Sequence, residues 1–193
     1  EIKNATKAGV DIKTDVTNDS DTEATGVSVK STVYNKEGDV VSTQTDDITV
    51  AAGKTETISQ SVDVADPKLW SVDSPNLYWV RTEIIQNGKV VDRTDSRFGI
   101  RYIATDPNSG FYLNGVHTKL NGVCEHSDLG SLGMETYQAA VDRRIRTLKK
   151  YGVNAIRTSH NPVSPEFIEA CDRLGMLVFE EAFDQWLYSK NSD

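Results

Sequence analysis

Residues 151–186 read YGVNAIRTSHNPVSPEFIEACDRLGMLVFEEAFDQW, and the order of patterns in this stretch decides the fold. Val153, Ala155 and Ile156, bounded by Gly152 and Pro162, form an apolar run that suits a short buried strand better than a helix. Ser164-Pro165 then pairs an N-cap residue with a first helical position. Phe167, Ile168 and Cys171 recur at helical spacing, and Gly175 supplies a stop. MLVFEEAFDQW (176–186) predicts another buried strand, on which the adjacent Glu180 and Glu181 would point to opposite faces. Strand, helix and strand joined by such short connections predict parallel strands with a right-handed crossover.

Upstream, METYQAAVDRRIRTLKKYG (134–152) is helical, with Tyr137, Val141, Ile145 and Leu148 on one stripe. Arg143, Arg144, Arg146, Lys149 and Lys150 crowd its C-terminal half, where the helix dipole favours cations, and Gly152 closes it. FYLNGVHTKLNGV (111–123) predicts a small hairpin around Asn114-Gly115, running into a strand over 119–124. After Pro107 the chain therefore reads β-α-β-α-β. Three parallel strands cannot bury both faces of a sheet alone, so this is the beginning of a larger architecture.

The first hundred residues alternate with period two instead. Val10, Ile12, Thr14 and Val16 share one face, as do Val27, Val29 and Ser31, and Tyr78, Val80, Thr82 and Ile84 oppose Leu77, Trp79 and Ile85. Turn chemistry breaks the runs at Lys36-Glu37-Gly38-Asp39, Ala52-Gly53-Lys54 and Asn87-Gly88, the last suited to a type I′ hairpin. About seven short strands predict an immunoglobulin-like sandwich over 1–105, with Trp70 and Trp79 expected in its core. The remainder, 106–193, is the α/β portion. Cys124 and Cys171 lie in different elements and are expected reduced and mostly buried.

Polar residues gather where each strand of the α/β portion finishes: Cys124-Glu125-His126, then Arg157 to Asn161, then Glu180-Glu181 with Asp184 and Trp186. Ligands of parallel α/β folds bind outside the carboxyl ends of the strands. Each residue alone has a bland reading as well. Arg157 can pair with Glu180 or Glu181 in a structural ion network, the histidines can be satisfied loop residues, and Trp186 can pack. A metal site using Cys124, His126 and His160 is a further alternative, although no fourth ligand is evident.

The formal net charge of −8 and a pI near 4.9 argue against nucleic acid as a partner. No run of eighteen apolar residues predicts a membrane span, so a soluble chain is expected. It begins at Glu1 rather than Met, and is expected to be cut from a longer protein; its compartment stays open.

FYLNGVHTKLNGVCEHSDLGSLG (111–133), LKKYGVNAIRTSHNPVSPEFIEACDRLGMLVFEEAFDQW (148–186), SPNLYWVRTEI (74–84) and RTDSRFGIR (93–101) resemble, in order, glycoside hydrolase family 2, the bacterial β-galactosidase and β-glucuronidase group. The resemblance implies an all-β immunoglobulin-like domain followed by the first three strands and two helices of a truncated (β/α)₈ TIM barrel. It implies retaining hydrolysis of terminal β-linked sugars, with galactosides as the expected substrates, by two glutamates about 5–5.5 Å apart. In the family both glutamates lie on later barrel strands, so no catalytic residue is expected in this chain and no turnover from it alone.

Residue by residue, His126 and His160 resemble the pair that contacts the sugar in the −1 subsite. Arg157 resembles the arginine that holds the nucleophile's carboxylate ionised. By the same resemblance Asn161 is expected to shape the same pocket, Glu181 to take the acidic position after the third strand, and Trp186 to line the rim. Glu180 stands where an aspartate is usual, and Glu125 where a basic or polar residue is common. No cofactor or metal is expected in this chain, and a divalent ion in the full-length enzyme stays open. The implied partner is a β-linked oligosaccharide or glycoside, with a homo-oligomer or pairing through the truncated barrel edge as a further expectation. The rival reading is a non-catalytic sugar-binding or adhesion sandwich.

Overall fold

The computed structural model describes residues 6–184, which divide into two compact units. One comprises residues 6–68 with Asn76–Ile100, the other Leu69–Pro75 with residues 101–184. Trp186 lies outside the described residues.

The first unit is a sandwich. Strands β1 (Lys7–Thr17) and β4 (Thr55–Ala65) pair antiparallel in one sheet. The other sheet has the order β3-β2-β5-β6, built from β2 (Ala24–Tyr34), β3 (Val40–Val50), β5 (Tyr78–Gln86) and β6 (Lys89–Phe98). The expected seven short strands are thus six long ones among the described residues, each of 9–11 residues. Thr43, Thr45 and Thr49 of VVSTQTDDITV act as outward members of a continuous alternation rather than as breaks.

Asn87 and Gly88 take φ of 51° and 75°, the paired left-handed values of a type I′ turn, and join β5 to β6. The Ala52-Gly53-Lys54 turn is instead a corner that carries the chain from one sheet to the other. Between the sheets lie Ile12, Val33, Val62, Val64, Tyr78 and Val80, with a second cluster of Val16, Val29 and Val50. In place of a disulfide, Gln60 of β4 bridges the sheets: it accepts from Ser31 Oγ at 2.6 Å and donates to Val29 O at 3.0 Å. It also donates to Asp46 at 2.8 Å, and with Gln44 it holds that carboxyl below its ordinary range.

Neither tryptophan expected in this core is there. Trp79 alternates onto the other face of its sheet, where it stacks on Tyr34 with centroids 4.0 Å apart and Arg81 lies 4.9 Å from its ring. Trp70 is buried within the second unit. Period-two reading cannot locate Trp70, because it sits in an irregular segment with no alternation to follow.

The second unit opens with an antiparallel sheet of β7 (Ile103–Asp106), β8 (Gly110–Leu113) and β9 (Val116–His117), whose hairpin turns at Asn114-Gly115. Strands β10 (Gly122–Glu125), β11 (Ala155–Thr158) and β12 (Leu177–Phe179) then form a parallel sheet in sequence order. Helices α1 (Gln138–Lys150) and α2 (Pro165–Leu174) make the crossovers. Val141 and Ile145 of α1 pack with Ile156, Phe167, Ala170, Cys171 and Met176. Tyr137, placed on this stripe by spacing, is the N-cap residue of α1 and 53% exposed.

Helix α2 follows its sequence signals closely. Ser164 Oγ accepts from Phe167 N, Pro165 is the first helical residue, and Gly175 closes with φ of 78°. Asp142 of α1 ties the helices together through Arg173 of α2, and Arg173 holds its carboxyl below the ordinary 3.8.

Candidate active site

Register builds one face of the parallel sheet. Cys124, Arg157 and Phe179 lie side by side across β10, β11 and β12, as do Val123, Ile156 and Val178. Side chains alternate, so the valine–isoleucine row packs against the helices while the Cys124–Arg157–Phe179 row faces away. Cys124 is therefore exposed, against the expectation of a mostly buried thiol; Cys171 is buried, and both are free. Burial pushes the Cys171 thiol up to about 12.

Arg157 Nε and Nη2 lie 2.7 and 2.6 Å from Glu181 Oε1, and Nη1 lies 3.7 Å from Cys124 Sγ. Cys124 and Glu181 together raise the guanidinium above its ordinary value. Of the two candidate carboxylates it is Glu181 that pairs, while Glu180 is exposed. Both glutamates follow the last residue of β12, so strand alternation does not govern where they point, contrary to the expectation that they sit on a strand. Glu181 is held instead by its backbone: its N–H donates to Thr158 Oγ1 at 3.0 Å, and Thr158 is buried.

His126 and His160, from the ends of β10 and β11, meet edge to face with ring centroids 6.0 Å apart. His160 Nδ1 lies 3.6 Å from Asp184 Oδ1. Arg157, His160, Phe179, Glu180, Glu181, Ala182, Phe183 and Asp184 line an open hollow of about 520 Å³. His126 lines a neighbouring hollow of about 30 Å³, beside Glu125 and Arg144, which pair at 2.8 Å. Asn161 lines neither; its Nδ2 lies 3.1 Å from Pro162 O and 3.5 Å from Ser127 Oγ.

Sequence reasoning passed over Thr158 and Cys124 as partners of the Arg157–Glu181 pair. Thr158 was legible only as a strand end, since its bond to Glu181 is made between residues 23 apart. The metal alternative finds no support: among the described residues no group of three His, Cys, Asp or Glu side chains could hold an ion.

Residues 1–101 match the family described as Glycosyl hydrolases family 2, and residues 105–187 match its TIM barrel domain. The chain belongs to glycosyl hydrolases family 2. Beta-galactosidase BoGH2A of Bacteroides ovatus is 40% identical over 186 residues, covering 96% of this chain and 22% of that protein. A solved family 2 member from Bacteroides cellulosilyticus superposes with a TM-score of 0.90 at 38% identity, over 94% of this chain and 25% of the other. A Bacteroides uniformis beta-glucuronidase gives 0.87 at 31%, over 96% and 22%. The chain thus spans about a quarter or less of the length of these family 2 proteins. An immunoglobulin-like domain followed by the start of the TIM barrel domain is the family 2 order, and no described helix is long and apolar enough to cross a membrane.

Proposed function

We propose that this chain is part of a retaining β-glycosidase that hydrolyses terminal β-linked sugars, with a neutral glycone of the galactose type. In this reading β10, β11 and β12 with α1 and α2 are the first three strands and two helices of a (β/α)₈ barrel, and the sandwich is a spacer. The observation that carries it is the convergence of His126, His160, Arg157 and Glu181 at the carboxyl ends of three parallel strands.

Each side chain has work suited to its chemistry. A guanidinium has five N–H donors in a fixed fork, and only Nε and Nη2 face Glu181. Nη1 donates one N–H toward Cys124 Sγ, and its other N–H is assigned to hold a second carboxylate, the nucleophile, in its ionised form. The two imidazoles offer donors and acceptors to sugar hydroxyls, and Asn161 with Ser127 shapes the loop beside them.

Charge favours galactoside over glucuronide. The hollow's lining includes three carboxylates, Glu180, Glu181 and Asp184, against one guanidinium already paired. Such a wall repels a uronate and tolerates a neutral sugar. The family's two glutamates belong to later strands, so these 193 residues alone are expected to be inactive.

The test is hydrolysis of p-nitrophenyl β-galactoside and β-glucuronide by the full-length parent and by the 193-residue piece. Cleavage of the galactoside by the parent and of neither by the piece is the expected result. Cleavage of the glucuronide alone removes the neutral-glycone reading, and turnover by the piece removes the assignment of both glutamates to later strands.

A further inference from the structure

The segment Leu69–Pro75 runs between β4 and β5 in sequence, yet it belongs to the second unit. It forms a tight turn in which Ser71 N donates to Ser74 O at 2.9 Å and Ser74 N to Ser71 Oγ at 3.0 Å. Trp70 is 1% exposed, with the Arg101 guanidinium 4.8 Å from its ring centroid. Its carbonyl accepts from Asn114 Nδ2 at 2.9 Å.

The partners of this turn are the carbonyls at the C-terminal end of α2. A helix leaves its last carbonyls without intrahelical donors. Trp70 Nε1 donates to Asp172 O at 2.7 Å. Lys149 Nζ, from the last turn of α1, donates to Leu174 O at 2.6 Å, to Gly175 O at 3.0 Å and to Val72 O at 2.5 Å. One ammonium therefore joins the end of α2 to the turn, as a cation placed where the α2 dipole is negative. Gly175 completes the fit: a Cβ there would collide with Val72 O.

We propose that Leu69–Pro75 is the C-terminal cap of α2, supplied in trans from within the sandwich's stretch of sequence, and that it sets the stability of α2 and β12. β12 begins two residues after Gly175 and leads directly into Glu181, so the cap also holds in place the carboxylate that pairs with Arg157. A division of the chain at residue 100 leaves the second unit without this cap.

The inference does not depend on glycosidase activity, and its test does not read activity. Trp70→Phe removes the indole donor and keeps an aromatic ring; Lys149→Met removes the ammonium and keeps the stem. Each is made in the full chain and followed by amide hydrogen exchange. Exchange in α2 and β12 is expected to speed up about tenfold or more, the size of effect that leaving buried carbonyls unpaired produces. Amides of β2 and β5 are expected to keep their rates. Thiol labelling gives an independent reading: Cys171, buried on α2, is expected to react faster in both variants, while exposed Cys124 reacts as before. Unchanged α2 exchange and Cys171 labelling in both variants would overturn the proposal, and so would an equal loss of protection in β2 and β5.

Discussion

Arg157 and Glu181 meet through two donors on one oxygen, Nε at 2.7 Å and Nη2 at 2.6 Å from Oε1, at the carboxyl edge of the parallel sheet. The Arg157 side chain is 44% exposed, so the pair contributes little to stability and its geometry is what matters. Under the proposed function, Arg157→Gln in the full-length parent is expected to lower kcat about a hundredfold or more, the size of loss that removing one preorganised donor from a reacting centre produces. The thermal midpoint should move by no more than a few degrees. Arg157→Lys should fail to restore the rate, because an ammonium cannot reproduce the fork. Steady-state kinetics beside a thermal scan check all three expectations.

The helix pair supplies a pH prediction. Arg173 first, with Gln138 and Arg146 adding to it, depresses the Asp142 carboxyl in the folded chain. A depressed carboxyl contributes stability that is present above its unfolded value, about 3.8, and is lost as pH falls through the lower folded one. Asp142→Asn should therefore be less stable than the parent sequence at pH 7, with the gap closing below about pH 4. Urea midpoints across that range measure it, and a gap independent of pH would contradict the pairing.

Gly175 combines a left-handed backbone, φ of 78°, with a close approach to Val72. Gly175→Ala meets both penalties and is expected to cost about 2–4 kcal/mol. Calorimetry of the full chain should show the loss in the transition that carries α2.

In the sandwich, Gln60 satisfies Ser31, Val29 O and Asp46 at once. Gln60→Ala takes this partner from the buried Ser31 hydroxyl and from Val29 O, while half-buried Asp46 keeps Gln44, at a cost of about 1–3 kcal/mol in denaturant unfolding. Adding Ser31→Ala should recover part of the loss, since one stranded hydroxyl is then removed as well.

Local rules account for much of what was legible beforehand. Asn87-Gly88 and Asn114-Gly115 turn as their φ preferences require, and Ser164, Pro165 and Gly175 bound α2 because capping depends on residues within one turn. The parallel order of β10, β11 and β12 follows from short connections through helices. The clustering of His126, Arg157, His160 and Glu181 at strand ends was visible for the same reason. Hydrogen-bonding residues placed straight after buried runs must come out at the same edge.

What the sequence by itself determined is thus the series of elements, their turns and caps, and the edge at which the polar groups emerge. Tertiary structure alone decided which of them meet. It chose Glu181 over Glu180 for Arg157, set Cys124 beside that arginine by register, turned Asn161 toward Ser127, and carried Trp70 out of the sandwich to the end of α2. The physical reason is range. Periodicity and capping are written in neighbours a few residues apart, whereas Trp70 and Asp172 are separated by 102 residues and become partners only once the second unit has formed.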